Sequence, residues 1–127
     1  MYKRAREPET VYSDFLPVSM YRKIQDALLD ICCQKQIALE VLPTSNVRIS
    51  YYHSYAEHHI HRWLDDKATY LPVVVMGSDD PGIFATNIFN EYAHVFMSMK
   101  DKYVHAHDTI KKIRELVGHS QNYGFGG

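Results

Sequence analysis

The chain has 127 residues, 46% apolar and 13% aromatic, a composition that suits one packed domain and excludes a disordered segment. Fourteen basic against fifteen acidic residues leave a formal charge of −1, which offers no electrostatic basis for binding nucleic acid or an anionic membrane. No stretch approaches the roughly 20 consecutive apolar residues of a membrane span, and the charged start MYKRAREPET lacks the apolar run of a secretory signal. A soluble, cytoplasmic chain is expected. Cys32 and Cys33 are neighbours on a predicted helix, where side chains point about 100° apart, so they read as reduced thiols and not as a mutual disulfide.

Residues 1–18 are charged and then irregular, with Pro8 and Pro17 opposing regular structure and Val11–Leu16 expected as an extended piece. Ser19 is a candidate cap for a helix running to about Gln36. Its apolar positions Met20, Ile24, Ala27, Leu28 and Ile31 recur at helical spacing and predict its buried face. Ile37–Leu42 reads as a strand interrupted only by Glu40, and Pro43–Asn46 ends it. A second helix is expected over Ala56 to about Asp66, with Ile60, Trp63 and Leu64 inward. Pro72–Met76 is a short apolar run of the type found in parallel strands covered on both faces. Gly77 and Ser78 break it. A helix follows from about Thr86 to Met99, then a last one capped by Asp108 and stopped by Gly118, leaving Gly124, Gly126 and Gly127 as a frayed end. Strands separated by helices imply right-handed crossovers and a parallel sheet. Two strands alone leave both outer edges unpaired, so the pattern reads as an α/β slice of something larger.

The strongest chemical signal is Asp79-Asp80-Pro81. It stands where the second strand meets its C-terminal loop, the end at which ligands collect in parallel α/β folds. Two adjacent carboxylates repel, so a metal, a base or a hydrogen-bond donor is expected beside them. The alternative is a polar loop with an Asx turn and a proline opening a helix. Glu40 interrupts an apolar strand, and a buried carboxylate needs a partner; it either orients a catalytic group or forms an internal salt bridge. Tyr51, Tyr52 and Tyr55 follow the first strand's loop, as rim packing or as stacking surfaces for a base. Among the eight histidines, His105-Ala106-His107 reads as a solvated connection. Glu57, His58 and His61 read as a partly exposed helix face, with a surface zinc site as the less favoured option. His53, His94 and His119 read as isolated packing or surface residues.

Two segments carry a more specific resemblance. LEVLPTSN at 39–46 and VVVMGSDDPGIFATNIFNEY at 73–92 resemble the last two barrel strands of the adenosine deaminase family, zinc-dependent purine deaminases built on a (β/α)8 barrel. The matching residues are Leu39, Glu40, Val41, Pro43, Thr44, Ser45 and Asn46, then Asp79, Asp80, Pro81, Phe84, Thr86, Glu91 and Tyr92. Glu57, His58 and Ile60 also fit the start of the family's intervening helix, although His59 replaces the usual proline.

The resemblance implies that residues 19–127 form the C-terminal part of a TIM-type (β/α)8 barrel, about strands 7 and 8 with flanking helices. It implies Asp79 as a catalytic zinc ligand that also contacts the attacking water, and Asp80 as a hydrogen-bond acceptor toward a purine ring. The family's remaining zinc ligands and its acid/base glutamate come from motifs that do not occur before Ile37. The expectation is therefore one zinc ligand and one substrate contact supplied here, with the rest from a missing N-terminal portion or a partner chain. A non-catalytic module that completes a barrel with a partner is the alternative.

Overall fold

Two short parallel strands organise the chain, and which way their side chains alternate decides where everything else packs. The computed structural model describes residues 16–100 and 106–123. Strand β1 (Ala38–Val41) pairs with β2 (Val73–Met76), Ala38 opposite Val73 and Val41 opposite Met76, so the expected parallel relation holds. Alternation puts Leu39, Val41, Val74 and Met76 on one face. Val41, Val74 and Met76 there join Ile60, Leu64, Val95, Met99 and Leu116 in one buried cluster. The opposite face carries the exposed Glu40 beside the half-buried Ala38 and Val73 and the buried Val75. This small parallel sheet with helices fits a fragment of an α/β domain.

The ladder continues one step past β2, where the Gly77 N–H donates to the Val41 carbonyl at 3.0 Å. A Cβ on Gly77 would lie 2.5 Å from Glu40 Oε1 and 2.7 Å from Leu42 Cδ2. Only glycine lets the Glu40 carboxylate rest over the strand end undisturbed.

Helix α1 (Val18–Gln34) departs most from the sequence pattern. Pro17, not Ser19, is its N-cap, because the ring presets the φ needed to enter a helix. At its far end the Ile37 N–H bonds Cys32 O and the Gln36 N–H bonds Cys33 O. That is a Schellman closure, with Gln36 in the left-handed position at φ 52°. The predicted buried face is in fact open: Met20, Ile24, Leu28 and Ile31 are 46–57% exposed, and Leu29 alone in α1 is buried. The periodicity is genuine, but no described element lies against it. Arg62 ties the helix down through Asp26 and Gln25. Between α1 and the sheet a cleft of about 530 Å³ remains, lined by Leu28, Leu29, Cys32, Leu39, Tyr52 and Trp63 among others.

Pro43–Asn46 does not merely end β1; it opens helix α2 (Pro43–Ile49) with Pro43 in the first turn. The continuous helix expected over 56–66 is broken into a 3₁₀ turn at Tyr55–Glu57 and a short α3 (Ile60–Trp63). His58 between them is extended (φ −61°, ψ 139°), and its Nδ1 accepts the Ile60 N–H at 3.1 Å. Ile60 and Leu64 are buried as expected and Trp63 is half-buried against the core. A one-turn helix α4 (Pro81–Phe84) follows the aspartates and ends at Ala85 in the left-handed region, φ 50°. Helix α5 (Ile88–Lys100) starts two residues later than predicted, because Asn87 Oδ1 accepts the Asn90 N–H and caps it.

Helix α6 runs Ala106–Tyr123. Asp108 therefore lies in its first turn, where a carboxylate favours the helix dipole, and is not the cap. Gly118 is no stop either. The turns around it are held to β2 by Leu116 in the core and by His119 and Ser120, and this packing overrides glycine's weak helix propensity. The expected extended piece over Val11–Leu16 lies outside the described residues except for Leu16, and the frayed glycine end lies wholly outside them. His105 does too, whereas His107 stands exposed in the first turn of α6. No described helix is long and apolar enough to cross a membrane.

A Cβ at Gly118 meets no atom within 4 Å. Gly118→Ala is expected to stabilise the chain by about 0.5–1 kcal/mol, read as a higher urea midpoint at unchanged m-value. A lower midpoint would show that α6 needs glycine at this turn.

Candidate functional site

Both strands run in the same direction, so their C-terminal loops emerge side by side, and the two loops meet through hydrogen bonds. The Ser45 hydroxyl and the Asp80 N–H both donate to the Asp79 carboxylate, the latter at 2.8 Å to Oδ1. These two donors, Ser45 foremost, hold the Asp79 carboxyl below the usual carboxylate range. Asp79 is half-buried and ionised, a suitable state for a metal ligand. Asp80 turns the other way. Its Oδ1 accepts the N–H groups of Gly82 and Ile83 at 2.7 and 3.2 Å and caps α4, which is the Asx geometry held open by the sequence, while the residue stays exposed.

Beneath these carboxylates lies a third, to which the sequence reading gave no role. Glu91 of α5 is 1% exposed. One of its oxygens accepts the Thr44 N–H at 2.8 Å and the other accepts the Thr86 hydroxyl at 2.5 Å. The Glu91 carboxylate thus bridges the loop after β1, the loop after β2 and the helix that follows. Thr44, adjacent to Ser45, also bonds the Tyr55 hydroxyl at 3.0 Å, and the Tyr55 ring stacks on His94 at 4.3 Å. The signal was present: Glu91 sits three residues after Ile88 and four before Val95, on the apolar stripe of its own helix.

The histidines resolve differently from expectation. His58 and His61 are 2% and 6% exposed, so they form no surface helix face. His58 Nδ1 is occupied as an acceptor, so Nε2 carries the proton and donates to Asn46 Oδ1 at 3.0 Å. Burial, then the neighbouring His59 and His61, pushes its pKa down to about 3. His61 Nε2 bonds the Tyr55 carbonyl and Glu57 accepts the His53 N–H, so Glu57, His58 and His61 do not converge on a metal. His59 packs between Tyr52 and Trp63, and burial lowers its pKa also. Tyr52 donates to or accepts from His59 Nδ1 at 2.9 Å. Tyr51, expected as rim packing or a stacking surface, is fully exposed. His94 and His119, expected to be isolated, are both engaged.

Glu40 is exposed and not the buried carboxylate expected, although its register partner Val75 on the same face is buried. It lies against Gly77, two residues before Asp79, at the same end of the sheet. Among the described residues no three His, Cys, Asp or Glu side chains come together to hold a metal ion. A zinc site takes about four ligands, and Asp79 fits one of those positions.

A parallel sheet whose strand-end segments meet around Asp79 fits a fragment of an α/β domain. A family profile described as adenosine deaminase matches residues 20–115, and the chain belongs to the adenosine deaminase family. It is 33% identical over 89 residues to an adenosine deaminase of Plasmodium knowlesi, a match covering 70% of this chain and 22% of that protein. To an adenosine deaminase of Plasmodium falciparum (isolate 3D7) it is 41% identical over 69 residues, 54% of this chain and 18% of that protein. To an N6-methyl-AMP deaminase of Danio rerio it is 34% identical over 67 residues, 53% of this chain and 18% of that protein. The chain spans about a fifth of the length of these curated relatives.

Two outcomes follow from this geometry. Glu91→Ala strips the acceptor from the Thr44 N–H and the Thr86 hydroxyl and is expected to cost about 2–4 kcal/mol. Glu91→Gln retains an acceptor for Thr44 and a donor toward the Thr86 oxygen, and is expected to cost less; urea unfolding of both variants checks the order. His58, held neutral in the fold, binds a proton only when unfolded between its ordinary pKa of 6.5 and about 3. Stability is therefore full above pH 6.5 and falls with acid through that window, by about 2 kcal/mol from pH 7 to 5 for this residue. A His58→Gln variant should show a flatter profile over the same range, and an unchanged slope would remove His58 as the cause.

Proposed function

We propose that this chain supplies part of a cytoplasmic, zinc-dependent hydrolase that deaminates adenosine or a related 6-aminopurine, yielding an inosine-type product and ammonia. The single observation that carries this reading is the pair Asp79 and Asp80 at a parallel strand's C-terminal end, the first held ionised by Ser45 of the neighbouring strand's loop, in a member of the adenosine deaminase family. Residues 19–127 would be the last portion of a (β/α)8 barrel, β1 and β2 its seventh and eighth strands. The sheet face bearing Glu40 and Val75 would then look into the barrel.

In this reading Asp79 is a zinc ligand. When bound, zinc lowers the pKa of a coordinated water and so supplies the nucleophile at neutral pH. The chain's own residues do the positioning. Ser45 and the Asp80 amide keep Asp79 deprotonated and fix its orientation, and Glu91 anchors the loop that carries Ser45. Asp80 spends Oδ1 on α4, and its second oxygen faces the purine ring. Glu40 orients the groups at the strand ends. The remaining ligands and the acid that protonates the departing amine come from polypeptide outside this stretch, in the same protein or in a partner chain. Among substrates, adenosine and N6-methyl-AMP are the two to compare, after the named relatives.

The purified chain by itself is expected to release no measurable inosine from adenosine. Co-expression with the part of the Plasmodium falciparum relative that this chain does not match is expected to restore zinc binding and turnover. In that assembly Asp79→Ala should lose zinc. Asp80→Asn keeps an N-cap acceptor and should retain zinc while losing most of kcat/KM. Metal analysis and ammonia release read both. Equal zinc in the two variants would reverse the role assignment, and stoichiometric zinc with turnover in the chain alone would overturn the view that the site is incomplete.

A further inference from the structure

Of the donors to Asp79, the Ser45 hydroxyl comes from the segment after the neighbouring strand, and a serine hydroxyl by itself is poorly aimed. Its χ1 has three staggered wells, and a shift of the backbone beneath it redirects all of them. Ser45 is buried in the first turn of α2, so whatever fixes that turn fixes the hydroxyl. Both of its neighbours are tethered. Thr44, on one side, is held by Glu91 and by the Tyr55 hydroxyl. On the other side Asn46 Oδ1 accepts the His58 Nε2–H at 3.0 Å.

Tyr55 and His58 are the two ends of one 3₁₀ turn, closed by the His58 N–H on Tyr55 O at 3.2 Å. The same carbonyl bonds His61 Nε2 at 2.9 Å, which fastens the turn to α3. His58 reaches α2 because it stands where the helix breaks. Its Nδ1 is spent on the Ile60 N–H, which leaves Nε2 at the far side of the ring for Asn46. Burial keeps the ring neutral, the one state in which it accepts at one nitrogen and donates at the other.

We propose that His58 is a positioning residue of this site, whose bond to Asn46 sets the turn of α2 from which the Ser45 hydroxyl reaches Asp79. The placement of Ser45 stands on this geometry alone, and its consequence for turnover rests on the deaminase reading above.

The test uses amide side chains, since asparagine reproduces the reach of Nδ1 and glutamine that of Nε2. His58→Asn keeps an acceptor for Ile60 and drops Asn46, whereas His58→Gln keeps the donor to Asn46. In NMR of the full chain without zinc, Ser45 is expected to hold a single χ1 rotamer. His58→Asn should average it and His58→Gln should keep it. The Thr44 amide, held by Glu91, should exchange within about twofold of the wild-type rate in both. Asn46→Ala cuts the same bond at a half-buried helical position, and it is the readout if His58→Asn does not fold. In the zinc-loaded assembly, His58→Asn and Ser45→Ala should each lower kcat about tenfold, the loss of one hydrogen bond, at unchanged KM and zinc content. The double variant should also stand about tenfold below wild type, because both changes act through one bond. His58→Gln should recover most of kcat. The proposal is overturned by a Ser45 rotamer that stays single in His58→Asn or Asn46→Ala, or by a Thr44 amide that loses protection alongside it. Losses that multiply to about a hundredfold in the double variant overturn it as well. An assembly that never turns over, while the Ser45 rotamer responds as expected, removes the deaminase reading and leaves the positioning in place.

Discussion

The carboxylate of Glu91 is the constraint on which the arrangement of this site depends. A buried charge is tolerated only when its oxygens are satisfied, and here each oxygen has a donor from a different loop. The Thr44 amide is one of the free N–H groups at the start of α2, so Glu91 also places a negative charge at a helix N-terminus. Because Thr44 adjoins Ser45, the position of the Asp79 partner is fixed from the core outward. The two parallel strands bring the loops near each other, and Glu91 decides how they sit.

A second theme is how a two-stranded sheet meets its backbone obligations. Parallel pairing satisfies half of β2, and α6 supplies side chains to the other half. One face is packed by α3, α5 and α6, the other carries both the exposed Glu40 and the buried Val75, and α1 is attached mainly through Arg62. The exposed stripe Met20, Ile24, Leu28 and Ile31 and the exposed strand residue Glu40 are both features that an α/β domain normally encloses. They agree with a chain that spans about a fifth of the length of its relatives.

The departures from local pattern lie at two caps, one stop and one helix break. Ser19 and Asp108 have cap chemistry, yet each lies inside its helix. Gly118 has stop chemistry, and α6 passes through it because Leu116, His119 and Ser120 bind that segment to β2. The segment 56–66 has helical periodicity, but His58 lends its ring to Asn46 and to the Ile60 amide, and the helix breaks around that buried side chain. For Gly118 and for the 56–66 segment, contacts outside the local pattern outweighed a fraction of a kcal/mol of helix propensity.

Strand positions, their parallel relation, the core residues Val74, Met76, Ile60 and Leu64, and the Asp79-Asp80 pair were all legible in the sequence. Period and turn chemistry are local, and the family motifs are contiguous. Only the tertiary structure decided which carboxylate is buried. Glu40 looked buried by its apolar neighbours in the chain but is exposed, whereas Glu91, which its place on the apolar stripe of α5 marks only as inward-facing, is sealed between Thr44 and Thr86. Burial depends on what the other end of the chain places over a residue. The 47 residues separating Thr44 from Glu91 put that relation beyond any local pattern.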